Sequence, residues 1–181
     1  MKIFAIYSNV KLDKKPDWLD EFRKKYDKPY EFHITLKQPC YIEEDKVSEL
    51  KERISNFFNT SKHKFEVVFD SIVSNRDEDG ITIMLKANNV NDLVLFQKDL
   101  CTYLGEYTTY LKPKYKGYEK DFVPHITIAR NLSETQEMEA MKYLQNEFAC
   151  GGEINSVTLS IVNNNTPEES KNPANQSIYS L

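Results

Sequence analysis

Apolar residues recur along this chain with two spacings, and the spacings predict where its helices and strands lie. Steps of three and four residues are typical of an amphipathic helix, and they occur in residues 16–26, 43–59, 91–104 and 133–148. Short runs rich in β-branched and aromatic residues are typical of strands, and they occupy residues 2–8, 31–37, 64–73, 81–86, 123–129, 153–162 and 177–181. We expect residues 106–121 and 163–175 to be irregular.

Turn and capping residues mark several of the predicted boundaries. Pro39 is expected to end the strand over residues 31–37, because proline cannot donate a hydrogen bond to a sheet. Ser133-Glu134-Thr135-Gln136 has the pattern of a capping box, and Gly151-Gly152 suits the end of the helix that this box opens. The buried face of that helix is predicted to consist of Met138, Met141, Leu144 and Phe148.

The order of these elements predicts an α+β fold. Residues 64–73 and 81–86 are expected to pair as a hairpin across a polar loop, residues 75–80. Strands and helices do not alternate around a glycine-rich phosphate loop, and the chain has only five glycines, which disfavours a Rossmann or P-loop protein. We expect a single domain over residues 1–181, with two antiparallel sheets lining a cleft and the helices outside.

One tripeptide occurs twice, as His33-Ile34-Thr35 and His125-Ile126-Thr127. The copies contain two of the three histidines of the chain, and each lies in a predicted strand. Because residues i and i+2 of a strand point to the same face, each histidine is expected beside the threonine of its own copy. An imidazole can give or take a proton near neutral pH, and a hydroxyl can donate a hydrogen bond to an anionic oxygen. Two such pairs facing each other would suit an acid–base reaction on a phosphate.

Two other interpretations of these histidines are open. Both could be incidental residues of ordinary strands, although two copies favour a function more than one copy would. A metal site is disfavoured, because His-x-Thr is not a usual ligand spacing and no Cys, Asp or Glu stands at a matching offset beside His33 or His125. The third histidine, His63, stands among lysines and is predicted to be an exposed surface residue.

The segments His33-Ile34-Thr35-Leu36 and Pro124-His125-Ile126-Thr127-Ile128-Ala129-Arg130 resemble the two motifs of the 2H phosphoesterase superfamily. Within it, the chain looks most like the 2′-5′ RNA ligase-like (LigT-like) cyclic phosphodiesterases. The resemblance implies a bilobal α+β protein with pseudo-symmetric lobes, whose two motifs face each other across a cleft. It also implies that no metal cofactor is used.

On this resemblance, the chain is expected to be a metal-independent phosphodiesterase, without a cofactor, that acts on a 2′,3′-cyclic phosphate or a related nucleotide or RNA phosphodiester. His33 and His125 would be the catalytic residues, with His125 as the base and His33 as the acid. Thr35 and Thr127 would hold the non-bridging oxygens. The alternatives are a nucleotide-binding or RNA-end-binding protein without turnover, and a 2′-5′ RNA ligase.

The loop over residues 107–121 contributes two further candidates, Lys114 and Tyr115. It holds four lysines among four tyrosines. Tyrosine rings can stack on a base and lysines can attract phosphate, but a solvated loop whose tyrosines pack on the protein would have the same composition.

Two residues that follow the motifs are candidate phosphate contacts. Lys37 stands four residues after His33 and is expected on the same strand face. Arg130 stands five residues after His125 and is expected on the opposite face unless the strand ends or twists first. The resemblance implies that an arginine is frequent at the position of Arg130.

Composition narrows the class of protein. The net charge of −4 and the pI of about 5.5 disfavour tight, sequence-independent binding to long nucleic acid. A small anionic substrate needs only a locally basic cleft. The three cysteines, Cys40, Cys101 and Cys150, have no motif spacing and predict reduced thiols in a cytoplasmic protein. No apolar run approaches the length of a transmembrane helix, and we expect a monomer without membrane contact.

Overall fold

A computed structural model describes residues 1–27, 31–60, 63–88, 90–144 and 148–181. The described strands are β1 Lys2–Asn9, β2 Lys11–Lys14, β3 His33–Ile42, β4 Phe65–Asp77, β5 Gly80–Ala87, β6 His125–Leu132, β7 Cys150–Ile154, β8 Ser156–Val162 and β9 Gln176–Ser180. The described helices are α1 Trp18–Tyr26, α2 Val47–Thr60, α3 Asn91–Tyr103, α4 Tyr115–Lys120, α5 Glu134–Tyr143 and α6 Pro167–Lys171, with 3₁₀ turns at Glu44–Lys46 and Pro173–Asn175. None of these described helices is both long and apolar enough to span a membrane.

The strands form two antiparallel sheets, which confirms the predicted α+β class. The first sheet has the order β3-β1-β8-β9, and the second has the order β2-β7-β4-β5-β6. The two motif strands, β3 and β6, are therefore edge strands of different sheets, and they contact each other. Helices α3 and α4 contact β3, and α1 contacts β6. The fold thus brings the two copies of the repeat together where the two sheets meet.

The two motif strands are irregular in the same way. Against β1, β3 contains one extra residue after Thr35 and another before Cys40. Against β5, β6 contains one extra residue after Thr127 and another before Leu132. These equivalent positions are separated along the chain by the same interval as the two histidines. Each extra residue is a β-bulge, and a shift of one residue moves the following side chains to the other face of the strand.

The middle residue of each tripeptide is part of the core. Ile34 and Ile126 are 1% and 0% exposed and belong to the cluster of buried apolar side chains that joins the two sheets and their helices. The histidine and threonine of each copy are only half-buried. The predicted alternation, with isoleucine inward and the polar pair on the other face, is therefore confirmed.

Several boundaries of the strands differ from the prediction. β3 continues through Pro39, which an edge strand tolerates, and the carbonyl of Pro39 accepts a hydrogen bond from the backbone N–H of Leu111 at 2.9 Å. β4 and β5 extend over most of the predicted loop and leave a tight turn before Gly80, whose φ of 110° is accessible to glycine. β2, α4 and α6 were not predicted, because elements of four to six residues are too short to show a period.

The end of the chain also differs from the prediction. The predicted strand over residues 153–162 is divided at Asn155 into β7 and β8, which lie in different sheets. Gly151-Gly152 does not end a helix but lies in β7 beside β2. A Cβ atom on Gly152 would stand 2.7 Å from Val10 Cγ1, so this glycine permits the close approach of two strands.

Helix α5 begins as predicted, but its predicted buried face is wrong. Both hydrogen bonds of the Ser133 capping box are present. Met138 and Met141 are exposed, and the buried face consists of Ala140 and of Glu137, whose carboxylate accepts hydrogen bonds from Arg76 and Ser74 on β4. The helix ends at Tyr143, and residues 145–147 of the predicted helix lie outside the described residues, whereas Leu144 and Phe148 are partly buried.

Candidate active site

The structure brings the two His-x-Thr motifs together on adjoining edge strands. His33 and Thr35 on β3, and His125 and Thr127 on β6, occupy equivalent positions before the first bulge of each strand. His125 lies close enough to His33 for its positive charge to lower the pKa of His33. The two imidazoles therefore lie close enough to influence each other electrostatically.

Both imidazoles are held by the same local hydrogen bond. Nδ1 of His33 lies 3.0 Å from the carbonyl oxygen of Glu31, and Nδ1 of His125 lies 2.6 Å from the carbonyl oxygen of Val123. A carbonyl can only accept, so Nδ1 donates in each ring, and the neutral imidazole has its lone pair on Nε2. Each ring can therefore take up or give a proton at Nε2 without losing the bond that orients it.

Burial lowers the pKa of both imidazoles below the ordinary value of about 6.5. Desolvation is the largest cause in each case, and the backbone hydrogen bond opposes it. The positive charges of Arg130, His125 and Arg23 lower the pKa of His33 further. The folded protein therefore favours the neutral form of both rings near pH 7.

The bulges decide which of the later residues reach the motif face. A regular strand would put Arg130 on the face opposite His125. The bulge after Thr127 changes this parity, and Arg130 lines the same cavity as His33. Gln38 has the equivalent position in β3 and lines that cavity as well.

The same irregularity removes Lys37 from the site, so the prediction that it shares the face of His33 is wrong. The bulge after Thr35 turns Lys37 to the buried face, where its side chain is 1% exposed. Its Nζ donates to Oε1 of Glu119 at 2.7 Å and lies 4.9 Å from the ring centre of Tyr110. Lys37 therefore ties β3 to α4 and is not placed to contact a phosphate.

Arg130 is anchored from behind by a buried carboxylate. Its Nε donates to Oδ1 of Asp27 at 2.9 Å, and the Asp27 side chain is fully buried. Arg23 donates to the other oxygen of Asp27 from Nε and Nη2, at 3.2 and 3.0 Å. One buried carboxylate therefore positions two guanidinium groups, and charged hydrogen bonds of this kind hold Arg130 in a fixed orientation.

A cavity of about 660 Å³ opens beside β3. Four of the predicted site residues line it: His33, Thr35, Tyr115 and Arg130. The remaining walls come mainly from β1, β8 and the segment around α6. His125 and Thr127 do not belong to its lining, so the cavity extends from the β3 side of the imidazole pair.

Tyr7 on β1 packs against the imidazole of His33. The ring centres are 5.4 Å apart at an interplanar angle of 62°, an edge-to-face contact. Its hydroxyl accepts a hydrogen bond from Nε2 of Gln176 at 3.0 Å. Burial raises the pKa of Tyr7, and the nearby charge of Glu31 adds to the effect. Tyr7 therefore stays a neutral phenol that fixes the ring of His33 from the side.

Only part of the tyrosine- and lysine-rich loop reaches the cavity. Tyr115 lines it, but Nζ of Lys114 lies 3.0 Å from Asp77 and 2.5 Å from Asp79, at the turn between β4 and β5. The hydroxyl of Tyr118 also donates to Asp77, at 2.8 Å. Lys114 is thus engaged in holding the loop to the hairpin and is not placed as the predicted phosphate contact.

The structure adds three residues that the sequence did not reveal. Asn9 is the cross-strand partner of His33, and Lys86 is the cross-strand partner of His125. Directly paired residues share a face of the sheet, so both flank the imidazoles. Alignment of the two motif copies would have revealed the third, Gln38, as the counterpart of Arg130. Lys86 had no such signal, because a cross-strand partner is known only from the register.

The assembled groups are suited to proton transfer beside an anion. Each imidazole can give or take a proton, two hydroxyls and Gln38 can donate hydrogen bonds, and Arg130 carries positive charge. Across the described part of the chain, no group of three or more His, Cys, Asp or Glu side chains is arranged to hold a metal ion.

Comparison with known proteins identifies a family. A family model described as the 2′-5′ RNA ligase superfamily matches residues 12–166, which include both motifs. Among curated proteins, no sequence gives a significant match.

Solved structures share the fold over nearly the whole chain. The structure of Kluyveromyces marxianus Usb1 with uridine monophosphate is 10% identical, with a TM-score of 0.59 over 99% of this chain and 98% of that one. The crystal structure of E. coli LigT complexed with 3′-AMP is 14% identical, with a TM-score of 0.53 over 99% and 94%. A crystal structure described as a phosphoesterase is 12% identical, with a TM-score of 0.55 over 100% and 96%. At such identities these similarities establish the fold alone.

The placement of Lys37 predicts an effect on stability. Replacing it in Lys37→Met leaves the Glu119 carboxylate buried without its cation, which is expected to lower the free energy of unfolding by about 3 kcal/mol. Urea denaturation measures this. The double variant Lys37→Met/Glu119→Gln is expected to lose less than the two single variants together, since no charge is left buried.

The exposed pair Lys46 and Glu49, 3.0 Å apart on the surface, is the matched control. Lys46→Met is expected to change the free energy of unfolding by less than about 0.5 kcal/mol. A Lys37→Met variant as stable as this control would contradict the buried, structural role of Lys37.

Proposed function

The chain belongs to the 2′-5′ RNA ligase superfamily of 2H phosphoesterases, and on that premise we propose that it is a metal-independent phosphodiesterase acting on a 2′,3′-cyclic phosphate or a related nucleotide or RNA phosphodiester. The observation that carries the proposal is the matched pair of imidazoles. Each has Nδ1 tied to a backbone carbonyl, which leaves Nε2 as the nitrogen that exchanges a proton, and each has a threonine two residues on. Binding alone would not require two titratable rings in the same orientation.

The proposed reaction is a hydrolysis with two proton transfers. His125 takes a proton from water, and the water oxygen forms a bond to phosphorus. The bond from phosphorus to one ribose oxygen breaks, and His33 gives its proton to that oxygen. The products are a ring-opened phosphate monoester and a free hydroxyl, and exchange with solvent restores the proton on His33 and removes the one on His125.

The other side chains of the site would stabilise the charge on the phosphate. Thr35 and Thr127 would donate to the non-bridging oxygens, one from each strand. Arg130 would balance the negative charge that builds up at phosphorus, and Lys86 would add positive charge on the His125 side. The assignment of His125 as base and His33 as acid follows the family resemblance, and a leaving-group experiment tests it.

The first prediction from the proposed function concerns the roles of the two histidines. On a cyclic nucleotide, His33→Ala and His125→Ala are each expected to lose about 10²–10⁴-fold in kcat, because each removes one proton transfer. A 4-nitrophenyl nucleotide ester has a leaving group that departs without a proton. It is therefore expected to restore turnover in His33→Ala but not in His125→Ala. Rescue of His125→Ala instead would reverse the assignment, and rescue of neither would contradict acid catalysis by this pair.

The matched control for these variants is the apolar residue between each His and Thr. Ile34→Ala and Ile126→Ala remove buried volume and are expected to lower the free energy of unfolding by about 2–5 kcal/mol. The half-buried imidazoles fill little core volume, so the histidine variants should unfold near the parent temperature in a thermal melt. Equal destabilisation by both kinds of variant would indicate a structural role for the histidines.

The second prediction concerns pH. The base must be neutral and the acid protonated, so kcat/KM should depend on pH as a bell whose limbs belong to the coupled pair. The pKa of both rings is lowered in the folded protein. The alkaline limb, where the acid loses its proton, therefore lies at a lower pH than for an ordinary histidine, and the optimum is expected below about pH 6.5. A pH–rate profile with its optimum above pH 7.5 would contradict the proposal that catalysis uses these two imidazoles with lowered pKa values.

The third prediction concerns metal ions. The proposed reaction uses only side chains for proton transfer and charge stabilisation, so activity on a 2′,3′-cyclic nucleotide is expected to survive prolonged treatment with EDTA. The measurement compares initial rates before and after chelation, with re-addition of Mg²⁺, Mn²⁺ or Zn²⁺ as the control. Loss of activity that one of these ions restores would refute the metal-free mechanism.

A further inference from the structure

A carboxylate to which the proposed reaction gives no step lies fully buried behind Arg130. It belongs to Asp27, which follows the last residue of α1 and ends that helix with an extended backbone. The side chain of Asp27 is 0% exposed. A buried ion pair often stabilises a fold no better than apolar residues of the same size would. The carboxylate is therefore better explained by the groups that it positions than by stability.

Both oxygens of Asp27 accept charged hydrogen bonds, and they do so from different elements of the fold. Oδ1 accepts from Nε of Arg130 on β6 at 2.9 Å. Oδ2 accepts from Nε and Nη2 of Arg23 on α1, at 3.2 and 3.0 Å. Rotation of the carboxylate would lengthen the bond to one of the two arginines. Asp27 therefore holds the guanidinium of Arg130 in a definite direction.

The carboxylate is itself fixed from the side of α1. The backbone N–H of Asp27 donates to the carbonyl of Arg23 at 2.9 Å. The guanidinium of Arg23 stacks over the ring of Phe32, with Cζ 4.1 Å from the ring centre. Phe32 directly precedes His33 in the chain. The contacts therefore run without a gap from the start of one motif strand, through Arg23 and Asp27, to Arg130 on the other.

An arginine can be held in this way and still bind an anion. A guanidinium carries donors at Nε and at both Nη atoms, so a group held at Nε can bind a second anion through Nη. The side chain of Arg130 is 28% exposed and lines the cavity with His33. A lysine has one terminal nitrogen. At this position its ammonium would be drawn to the buried carboxylate and away from the phosphate.

We propose that Asp27 is a positioning residue of the active site, an inference that rests on the proposed function. It acts through Arg130, whose guanidinium it keeps directed at the phosphate before the substrate binds. Groups already in place stabilise the charge of a transition state most effectively, and a displacement of about 1 Å can cost about 10²-fold in rate. Helix α1 thus contributes to catalysis, although none of its residues, all of which the structure describes, lines the cavity.

The test compares kcat/KM for adenosine 2′,3′-cyclic phosphate among three variants. Asp27→Asn keeps the size but replaces one acceptor oxygen by an amide NH₂, and it is expected to lose at least about tenfold. Arg130→Lys is expected to lose about 10²-fold, because Asp27 draws the ammonium away from the phosphate. Asp27→Asn/Arg130→Lys releases that ammonium and is expected to be about tenfold more active than Arg130→Lys alone.

The second substitution therefore has opposite signs in the two backgrounds, which a merely structural role does not produce. If Asp27 served stability alone, the double variant would be the least active of the three, and that result would overturn the proposal. Unchanged kcat/KM in a folded Asp27→Asn would also overturn it. Thermal melts verify that each variant folds.

Glu137→Gln is the matched control. Glu137 is a largely buried carboxylate that accepts hydrogen bonds from Arg76 and Ser74, and none of these three residues lines the cavity. The control is expected to melt at a lower temperature and to keep the kcat/KM of the parent. A loss of kcat/KM in Glu137→Gln as large as that in Asp27→Asn would overturn the proposal.

A second comparison decides the matter if Asp27→Asn does not fold. Arg130→Lys and Arg130→Ala both leave Asp27 paired with Arg23. If Asp27 captures the ammonium, the lysine variant is expected to be within about threefold of the alanine variant in kcat/KM, although it retains the positive charge. A larger activity of the lysine variant would overturn the proposal, because its ammonium would then reach the phosphate.

Equilibrium binding separates failure of this inference from failure of the proposed function. Calorimetry with adenosine 3′-monophosphate needs no turnover. If the parent binds this nucleotide but hydrolyses no cyclic phosphate, the proposed function fails. The inference is still supported in that case if the affinity falls in Asp27→Asn and rises from Arg130→Lys to the double variant. Turnover by the parent without recovery in the double variant overturns the inference alone, and a parent with neither turnover nor binding overturns both.

Discussion

The paired bulges of β3 and β6 determine what the cleft contains. Without them, strict alternation would place Lys37 beside His33 and turn Arg130 away from His125. One extra residue after each threonine reverses both outcomes, so that Arg130 and Gln38 line the cavity and Lys37 is buried. Bulges of this kind are tolerated because β3 and β6 are edge strands, each paired on one side only within its own sheet. The positions of the groups proposed to bind phosphate therefore depend on irregularities of two edge strands.

The two strands use the buried position after the first bulge differently. In β6 this position is Ala129, which simply packs in the core. In β3 it is Lys37, whose ammonium group brings Glu119 and Tyr110 into the same buried network. That network fixes the segment that carries Tyr115, while Lys112 and Lys114 fix the same segment to the β4–β5 turn through Asp79. The segment is thus held where Tyr115 lines the cavity, and two of its four lysines, Lys112 and Lys114, are paired with the carboxylate of Asp79.

Much of the fold and the centre of the candidate site could be predicted from local patterns. The repeated tripeptide alternates a polar, an apolar and a polar residue. In a strand this alternation alone places His33 and Thr35 on one face and buries Ile34 on the other. The capping box at Ser133 is equally local. Lys37 and Arg130 stand four and five residues after their histidines, beyond a bulge. No residue type in the sequence indicates that bulge, so strand alternation predicts the wrong face for both side chains. The methionines of α5 show a second limit, because the helix docks through the small Ala140 and the ion pair of Glu137, neither of which the spacing of large apolar residues indicates.

The proposed reaction needs a protonated His33, although burial and nearby positive charges lower its pKa, and the substrate itself reconciles the two. Burial is the largest cause of the lowered pKa of both rings, and the positive charge of Arg130 is an additional cause for His33. A bound phosphodiester anion beside Arg130 offsets that charge and raises the pKa of His33. In the proposed mechanism, the same arginine therefore attracts the substrate, and the bound substrate in turn raises the pKa of the imidazole that must give the proton. A proton donor with a low intrinsic pKa is also a stronger acid once protonated, which suits the departure of a poorly activated ribose oxygen.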